Sequence, residues 1–184
     1  MKTMTQDWQT LATNEDAQAL TRVAFEHARA GNTGRLAWLL AAGLPVNLSN
    51  ERGDTLLMVA SYHGHLQTTR ILLENEADPD RANCHGRMAL AGAAFKGDLA
   101  IARLLLDHGA RVDGTARDGR TALMYAAMCD QLELLELLVA RGSEPALQDA
   151  TGCTALEHAR STGARRAVEW LEQFPQAHSP LLAV

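Results

Sequence analysis

Apolar positions recur along this chain at intervals of 33 residues. Single leucines show the interval most clearly, at Leu57, Leu90, Leu123 and Leu156. Apolar pairs keep the same step, at Leu39-Leu40, Leu72-Leu73, Leu105-Leu106 and Leu138-Val139. Because separate series of apolar residues stay in register over most of the chain, the pattern indicates a protein built from internal structural repeats.

Glycines follow the same interval and divide each period. One series is regular, at Gly53, Gly86, Gly119 and Gly152. A second contains Gly31, Gly64, Gly97 and Gly163, with Asp130 in the remaining position. A third contains Gly43, Gly109 and Gly142, with Glu76 where a further glycine would fall. Glycine is common where helices end and tight turns form, so these series predict the boundaries of the helices.

Each period contains two short apolar segments followed by turn-forming residues. In the second period, residues 55–61 predict a first helix, and the Thr55 side chain can cap its N-terminus. Gly64 ends this helix, and a second helix is predicted from about Leu66 to Asn75. The residues from 77 to 86 then carry turn chemistry. The unit is therefore a pair of helices and a turn.

The first helices of the last four periods open with a related four-residue motif. It reads Thr55-Leu56-Leu57-Met58, Met88-Ala89-Leu90-Ala91, Thr121-Ala122-Leu123-Met124 and Thr154-Ala155-Leu156-Glu157. Together with the spacing of the glycines, this motif resembles the Thr-Pro-Leu-His box of the ankyrin repeat. The proline and histidine are absent from all four copies, and Met88 replaces the capping threonine. Gly92 also lies within a predicted helix, at a cost of about 1 kcal/mol relative to alanine.

The resemblance implies an all-α, ankyrin-like repeat solenoid of about five 33-residue helix-turn-helix repeats with turn fingers. We expect the repeats at about residues 16–49, 50–82, 83–115, 116–148 and 149–174. An N-terminal extension is expected over residues 1–15 and a C-terminal tail over 175–184, both frayed or loosely docked. A terminal repeat has one face that no neighbour covers, and we assign Arg22, Glu26 and Arg29 to that polar outer face.

Composition and charge narrow the classes of function. Hydrophobic residues make up 47% of the 184 residues and charged residues 21%, which is typical of a folded soluble protein. The net charge of −5 gives no basis for binding nucleic acid or an anionic membrane. No apolar stretch is long enough to span a bilayer, and the first residues lack the apolar segment of a signal peptide.

The cysteines indicate the cellular compartment, and the ratio of arginine to lysine indicates the type of organism. The three cysteines, Cys84, Cys129 and Cys153, form no CxxC pair, which is typical of reduced thiols in the cytoplasm. Arginine outnumbers lysine by 15 to 2, as is common in GC-rich bacterial genomes. We therefore expect a cytoplasmic, bacterial protein that is a monomer on its own.

By the resemblance, partners are contacted at the turn tips and on the exposed side of each first helix. The first-helix positions are Tyr62, Phe95, Met128 and Ser161, with His63, Lys96, Cys129 and Thr162 beside them. We predict that Tyr62, Phe95 and Met128 form a ridge along the concave face, because aromatic residues and methionine are enriched at interface centres. The alternative is that these side chains pack between neighbouring repeats.

The turn tips add a candidate set of charges. Arg87, Arg117 and Arg120 lie in two successive turns and are predicted to form a cluster that pairs with carboxylates of a partner. The alternative is a solvated surface of mixed charge. The expected function is a non-enzymatic protein–protein interaction module, acting as an adaptor, inhibitor or protective partner. The predicted protein-binding residues are Tyr62, His63, Arg87, Phe95, Lys96, Arg117, Arg120 and Met128.

Other chemistries have less support in the sequence, and no cofactor, metal or catalytic residue is assigned. The pairs His63/His65 and Cys84/His85 lack the spacing of zinc ligands. By the resemblance, His65 is a structural residue that bonds the loop. The alternative function is a thiol- or metal-responsive regulatory protein using Cys84, Cys129 and His85. A third, an effector exported to a host cell, needs a secretion signal that residues 1–15 neither supply nor exclude.

Overall fold

The computed structural model describes residues 15–174, and within this range the chain forms ten α-helices in five consecutive pairs. In chain order they are α1 Glu15–Ala30, α2 Thr33–Ala41, α3 Leu56–Tyr62, α4 Leu66–Glu74, α5 Ala89–Lys96, α6 Leu99–Asp107, α7 Ala122–Met128, α8 Leu132–Ala140, α9 Ala155–Thr162 and α10 Arg165–Leu171. The predicted all-α repeat solenoid is confirmed. Apart from Glu15, the expected N-terminal extension lies outside the described residues, as does the expected C-terminal tail.

The helices stack in two rows. The first helices of the pairs (α1, α3, α5, α7 and α9) lie side by side in an inner row, and the second helices form an outer row. The core fills the space between the rows. Its repeating leucines, Leu57, Leu90, Leu123 and Leu156, are at most 3% exposed. In the outer row, Leu72, Leu105 and Leu138 are completely buried, whereas Leu106 and Val139 are only partly buried.

The ends of the helices follow the predicted signals. Thr55, Thr121 and Thr154 accept a hydrogen bond from the backbone N–H three residues on, while Met88 makes no such cap at the start of α5. Glu76 and Asp130, which replace glycine in the periodic series, are the two non-glycine residues of the described chain with positive φ, 65° and 55°. The repeat therefore requires left-handed backbone at these positions even where glycine is missing.

Four turn fingers, numbered in chain order, lie at residues 50–54, 83–87, 116–120 and 149–153, and backbone hydrogen bonds join each finger to the next. The N–H of Cys84 donates to the carbonyl of Arg52 at 3.0 Å, and the N–H of Arg117 donates to the carbonyl of His85 at 3.1 Å. The same bond joins Ala150 to Asp118 at 2.9 Å. Because the fingers are tied to one another, the side chains at their tips keep a fixed spacing along the solenoid.

A second set of contacts joins the repeats through side chains. The His65 ring lies 2.8 Å from the carbonyl oxygen of Arg29 through Nε2, which confirms the structural role predicted for this histidine. Asp80 accepts from the N–H and the Nε of Arg111 in the following repeat, at 2.9 and 3.0 Å. Asp113 accepts from the N–H of Glu144 in the same way. These contacts join successive repeats at points away from the turn fingers.

Candidate functional site

The inner helices and the turn fingers enclose a concave groove of about 1810 Å³. It runs across α1, α3, α5 and α7, so that four successive repeats contribute to its walls. The 33-residue period places one side chain of each inner helix at an equivalent point of this surface. At the positions in phase with Tyr62, the helices present Arg29, Tyr62, Phe95, Met128 and Ser161.

Two aromatic side chains stand out of the groove surface. Tyr62 is 43% exposed and Phe95 is 46% exposed, while Met128 is partly buried. All three line the groove. The structure thus brings the residues of the predicted ridge to one surface, with the two aromatic rings as its most accessible apolar part.

Lys96 and His63 surround the Tyr62 ring. The Lys96 ammonium lies 5.2 Å from the ring centroid, which is within the range of a cation–π interaction. The His63 ring meets Tyr62 edge-on, with 5.7 Å between the ring centroids. Partial burial lowers the pKa of His63, and the positive charges of Arg29, His65 and Lys96 lower it further. His63 is therefore a neutral neighbour of Tyr62 at physiological pH.

The floor of the groove carries a glycine between two tyrosines. Gly92 lies in α5 with its α-carbon in the groove lining, and the side chain of Tyr62 borders it from α3. Tyr125 occupies the position equivalent to Gly92 in α7 and also lines the groove. The Tyr125 hydroxyl is buried and has no hydrogen-bond partner among residues 15–174. The sequence analysis did not identify Tyr125 as a site residue, although its equivalence to Gly92 was available from the period.

The three predicted arginines of the fingers have different environments. Arg87 is exposed and lines the groove, whereas Arg117 is exposed on the same pair of fingers outside the groove lining. Arg120 lines the groove but is partly buried, with Nε 3.7 Å from an oxygen of Asp118 and 3.6 Å from an oxygen of Asp149. Arg120 therefore already lies beside two carboxylates of this chain, although its Nε makes no hydrogen bond among residues 15–174.

Three other arginines take part in the groove. Arg22 and Arg29 of α1 line it together with Arg52 of the first finger. The expected position of Arg22, Glu26 and Arg29 on the outer face of a capping repeat is wrong, because all three line the groove. Arg29 is in phase with Tyr62, so the period contained a signal for its position. Arg52 carried no such signal, because its orientation depends on the geometry of the finger.

The last repeat closes one end of the inner row with a buried polar pair. Asp149 is 7% exposed, and one of its carboxylate oxygens lies 2.8 Å from Nε2 of the buried His158. The other oxygen accepts hydrogen bonds from Thr151 and Cys153. Burial acts to raise the pKa of Asp149, but the bonds from Thr151, His158 and Cys153 outweigh it and hold the pKa well below its usual range. This carboxylate stays charged and serves the structure of the repeat.

The cysteines lie apart from the groove lining. Cys84 is exposed in the second finger, and Cys129 is partly buried at the end of α7. Burial raises the pKa of the Cys129 thiol, which disfavours the thiolate that a reactive cysteine needs. Within the described part of the chain, no three His, Cys, Asp or Glu side chains are grouped so as to hold a metal ion. These observations give the thiol- or metal-responsive alternative no geometric support.

Comparisons with known proteins agree with the repeat architecture. A family model described as ankyrin repeats (3 copies) matches residues 24–116, and one described as ankyrin repeats (many copies) matches residues 94–159. Among curated proteins, the chain is 52% identical over 56 residues to PA3287 of Pseudomonas aeruginosa, whose name describes an ankyrin repeat protein. It is 41% identical over 70 residues to Protein HOS4 of Saccharomyces cerevisiae, and 43% identical over 60 residues to Ankyrin repeat domain-containing protein 29 of Homo sapiens.

The matched segments are short relative to both partners in each comparison. They cover 30, 38 and 32% of this chain, and 33, 6 and 20% of the bacterial, yeast and human proteins respectively. The chain therefore spans no more than a third of the length of these relatives. None of the helices described in residues 15–174 has the length and apolar character required to cross a membrane.

Proposed function

Because this chain belongs to the ankyrin-repeat family, we propose that it is a non-enzymatic protein-interaction module that binds its partner in the concave groove and at the turn fingers. Ankyrin repeats are generally modules for binding other proteins. In this proposal the chain acts in the cytoplasm of a bacterium, as a monomer that serves as an adaptor, an inhibitor or a protective partner.

The observation that carries the proposal is the exposure of Tyr62 and Phe95 at equivalent positions of two neighbouring inner helices. Exposing large apolar side chains to water is unfavourable in free energy, and a partner that covers them removes this unfavourable contribution. Tyrosine and other aromatic residues also carry a large share of the energy of protein interfaces. We therefore assign Tyr62 and Phe95 as the central contacts, with Met128 extending the same surface.

The polar contacts lie around these two rings. His63 and Lys96 flank Tyr62 and form the rim on the side of the inner helices. Arg87 and Arg117 are exposed on the fingers, where they are available to carboxylates of a partner. Arg120 contributes through its position between Asp118 and Asp149, which fixes the adjoining finger. The backbone bonds between fingers keep this surface pre-organised, which lowers the entropic cost of binding.

A pull-down from native bacterial lysate tests the proposal. The wild-type chain and the Tyr62→Ala/Phe95→Ala variant are immobilised, and retained proteins are identified by mass spectrometry. Trp38→Ala is the matched control, because Trp38 is an aromatic residue that is 66% exposed on the outer helix α2. Circular dichroism establishes that all three proteins are folded.

We expect a protein that is retained by the wild type and by Trp38→Ala but lost from the double variant. Retention of the same proteins by all three chains would contradict the assignment of Tyr62 and Phe95. Loss from Trp38→Ala alone would place the binding surface on the outer helices and would contradict the groove as the site.

A further inference from the structure

We propose that the groove takes an acidic segment of a partner protein, with one apolar side chain of that segment inserted over Gly92. Carboxylates on either side of this side chain pair with Arg52 and Arg87. This inference rests on the proposed function, because it names the chemistry of the partner that the same groove binds.

The proposed place for the apolar side chain of the partner is Gly92, where α5 has no side chain of its own. A Cβ built on Gly92 meets one neighbour within 4 Å, the Cδ2 atom of Tyr62 at 3.5 Å. The equivalent positions of α3, α7 and α9 carry Val59, Tyr125 and His158. The glycine thus leaves a notch in the inner row, bordered by Tyr62. A glycine inside a helix lowers helix stability, and here that cost accompanies an opening that a ligand side chain can fill.

A buried polar group of the neighbouring inner helix α7 is also unsatisfied. Tyr125 is 7% exposed, and its hydroxyl has no hydrogen-bond partner within residues 15–174. Buried polar atoms in folded proteins nearly always have a partner, and one without a partner destabilises the state that contains it. Because this hydroxyl is buried, it gains a partner when the Tyr125 side chain turns toward the groove, where a bound peptide offers backbone N–H and C=O groups. The hydroxyl therefore favours a ligand that combines an apolar side chain with a peptide backbone.

The excess of positive charge in the groove indicates which residues flank the apolar side chain in the partner segment. Arginines outnumber carboxylates among the groove-lining residues by five to three, whereas the whole chain has a net charge of −5. The lining arginines are Arg22, Arg29, Arg52, Arg87 and Arg120. Apart from Arg120, none of them has a carboxylate within 4 Å among residues 15–174.

The carboxylates of the groove are not equally available to these arginines. Asp54 accepts a hydrogen bond of 2.7 Å from the Asn83 amide, so it is engaged in holding two fingers together. Arg52 and Arg87 lie on these same two fingers and remain exposed. Arginine pairs with carboxylates through two parallel hydrogen bonds, which adds both energy and orientation. An acidic segment is therefore the complement of this part of the groove.

Selection from a phage library of random 12-residue peptides tests the proposal without a known partner. The full chain is the bait, and the affinity of the selected peptides is measured by fluorescence anisotropy. We expect sequences with an apolar residue flanked by Asp or Glu. For Arg52→Glu/Arg87→Glu, the dissociation constant of these peptides should rise at least about tenfold, because two attractive charges become repulsive.

Two further variants isolate the charge and the notch. Arg70→Glu/Arg103→Glu makes the same change of charge at exposed residues of α4 and α6, outside the groove lining, and should leave the affinity within about twofold of wild type. Gly92→Leu fills the notch and should abolish binding. Gly92→Ala, which is expected to fold at least as well as the wild type, should weaken binding by a smaller factor.

The outcomes separate this inference from the proposed function. Selection of neutral or basic peptides whose binding still requires Tyr62 and Phe95 would overturn the acidic segment and leave the groove as a protein-binding site. Failure to select any peptide that depends on these two residues would count against both. Tighter binding of a 12-nucleotide single-stranded oligonucleotide, lost from Arg52→Glu/Arg87→Glu, would overturn the inference in favour of a phosphate-containing ligand.

Discussion

Helices α5 and α9 occupy equivalent places in the third and fifth repeats, yet they present opposite kinds of surface. Both bury the same leucine of the repeat, since Leu90 and Leu156 are each 3% exposed. At the equivalent groove position, α9 carries Ser161 whereas α5 carries Phe95. The intervening helix α7 carries Met128 there. The core of the repeat is thus conserved between the two helices, whereas the groove surface is not.

The polar groups show the same contrast. In the last repeat they satisfy one another, because the Thr154 hydroxyl and the Glu157 carboxylate cap α9 and Asp149 bonds to His158. The third repeat lacks these features, since Met88 provides no cap and Gly92 replaces the histidine. The difference teaches that the end of the solenoid is built for stability, while its middle leaves apolar surface and a notch available to a partner.

The largest expected change in stability comes from removing a buried leucine from a middle repeat, which has a neighbouring repeat on both sides. The last repeat has a neighbour on one side, and the same change there should have a smaller effect. Leu105 in α6 and Leu171 in α10 are each at most 1% exposed. Leu105→Ala should cost about 2–5 kcal/mol, because it opens a cavity between repeats that are packed on both sides. Leu171→Ala should cost less and mainly loosen the last helix. Urea denaturation followed by circular dichroism measures both, and equal losses would contradict the weaker support that the last repeat receives from its single neighbour.

The second prediction compares the finger at residues 149–153, which precedes α9, with the equivalent finger at residues 83–87, which precedes α5. Asp149→Ala removes a buried acceptor of several hydrogen bonds and should cost about 1–3 kcal/mol. Asn83→Ala is the matched variant, since the Asn83 side chain accepts from the N–H groups of His85 and Arg87 in the equivalent finger. It should cost less because the lost acceptor is neutral and more exposed. Urea denaturation at neutral pH gives both values, and a larger loss for Asn83→Ala would contradict the account.

Acid should reduce the difference between wild type and Asp149→Ala. The pKa of Asp149 is lower in the folded protein than in the unfolded chain, where carboxyls titrate near about pH 4. Its stabilising contribution is therefore fully present above about pH 4 and is lost as the pH falls through the lower folded pKa. His158 and Arg120 face this carboxylate and favour its charged form. A constant difference in unfolding free energy from pH 7 to pH 2 would refute this assignment.

The third prediction concerns the helix caps. Thr154→Ala should cost about 1 kcal/mol, because the first turn of α9 loses the hydroxyl that accepts from Glu157 N–H. Met88→Thr should stabilise α5 by less than about 1 kcal/mol, since the new cap is offset by the loss of apolar packing against Gly114. Thermal melts of the single variants measure both changes. A destabilised Met88→Thr would show that packing at this position outweighs capping.

The smallest effect on stability comes from the notch. Gly92 does not have positive φ, and a Cβ at this position makes only ordinary contact with Tyr62. Gly92→Ala should therefore stabilise the protein by about 0.5–1 kcal/mol while weakening the binding of its partner. A stabilised variant with unchanged affinity would show that the notch is not used. The melting temperature and the dissociation constant are measured on the same preparation.

Much of the fold was predictable because the repeat imposes it at every period. The buried leucines, the threonine caps and the left-handed positions of Glu76 and Asp130 all followed from the interval of 33 residues. The interval did not distinguish Leu105 from Leu106, since adjacent helical residues face directions about 100° apart and only packing decides which one is fully buried.

The groove was predictable only where it follows the period. Tyr62 and Phe95 lie at equivalent positions, and their exposure agrees with their expected place on the concave face. The pairing of Arg120 with Asp118 and Asp149 depends on the three-dimensional packing of two fingers, which a sequence interval does not encode. The unsatisfied hydroxyl of Tyr125 is likewise a property of side-chain geometry alone.

The most direct test of the central claim is the mapping of a bound partner by two-dimensional NMR. Backbone amide shifts of the labelled chain are compared with and without the protein segment captured by the wild type. The account predicts that the largest changes fall in α3, α5 and α7 and in the fingers that carry Arg52 and Arg87. Changes confined to the outer helices α2, α4, α6 and α8 would contradict it.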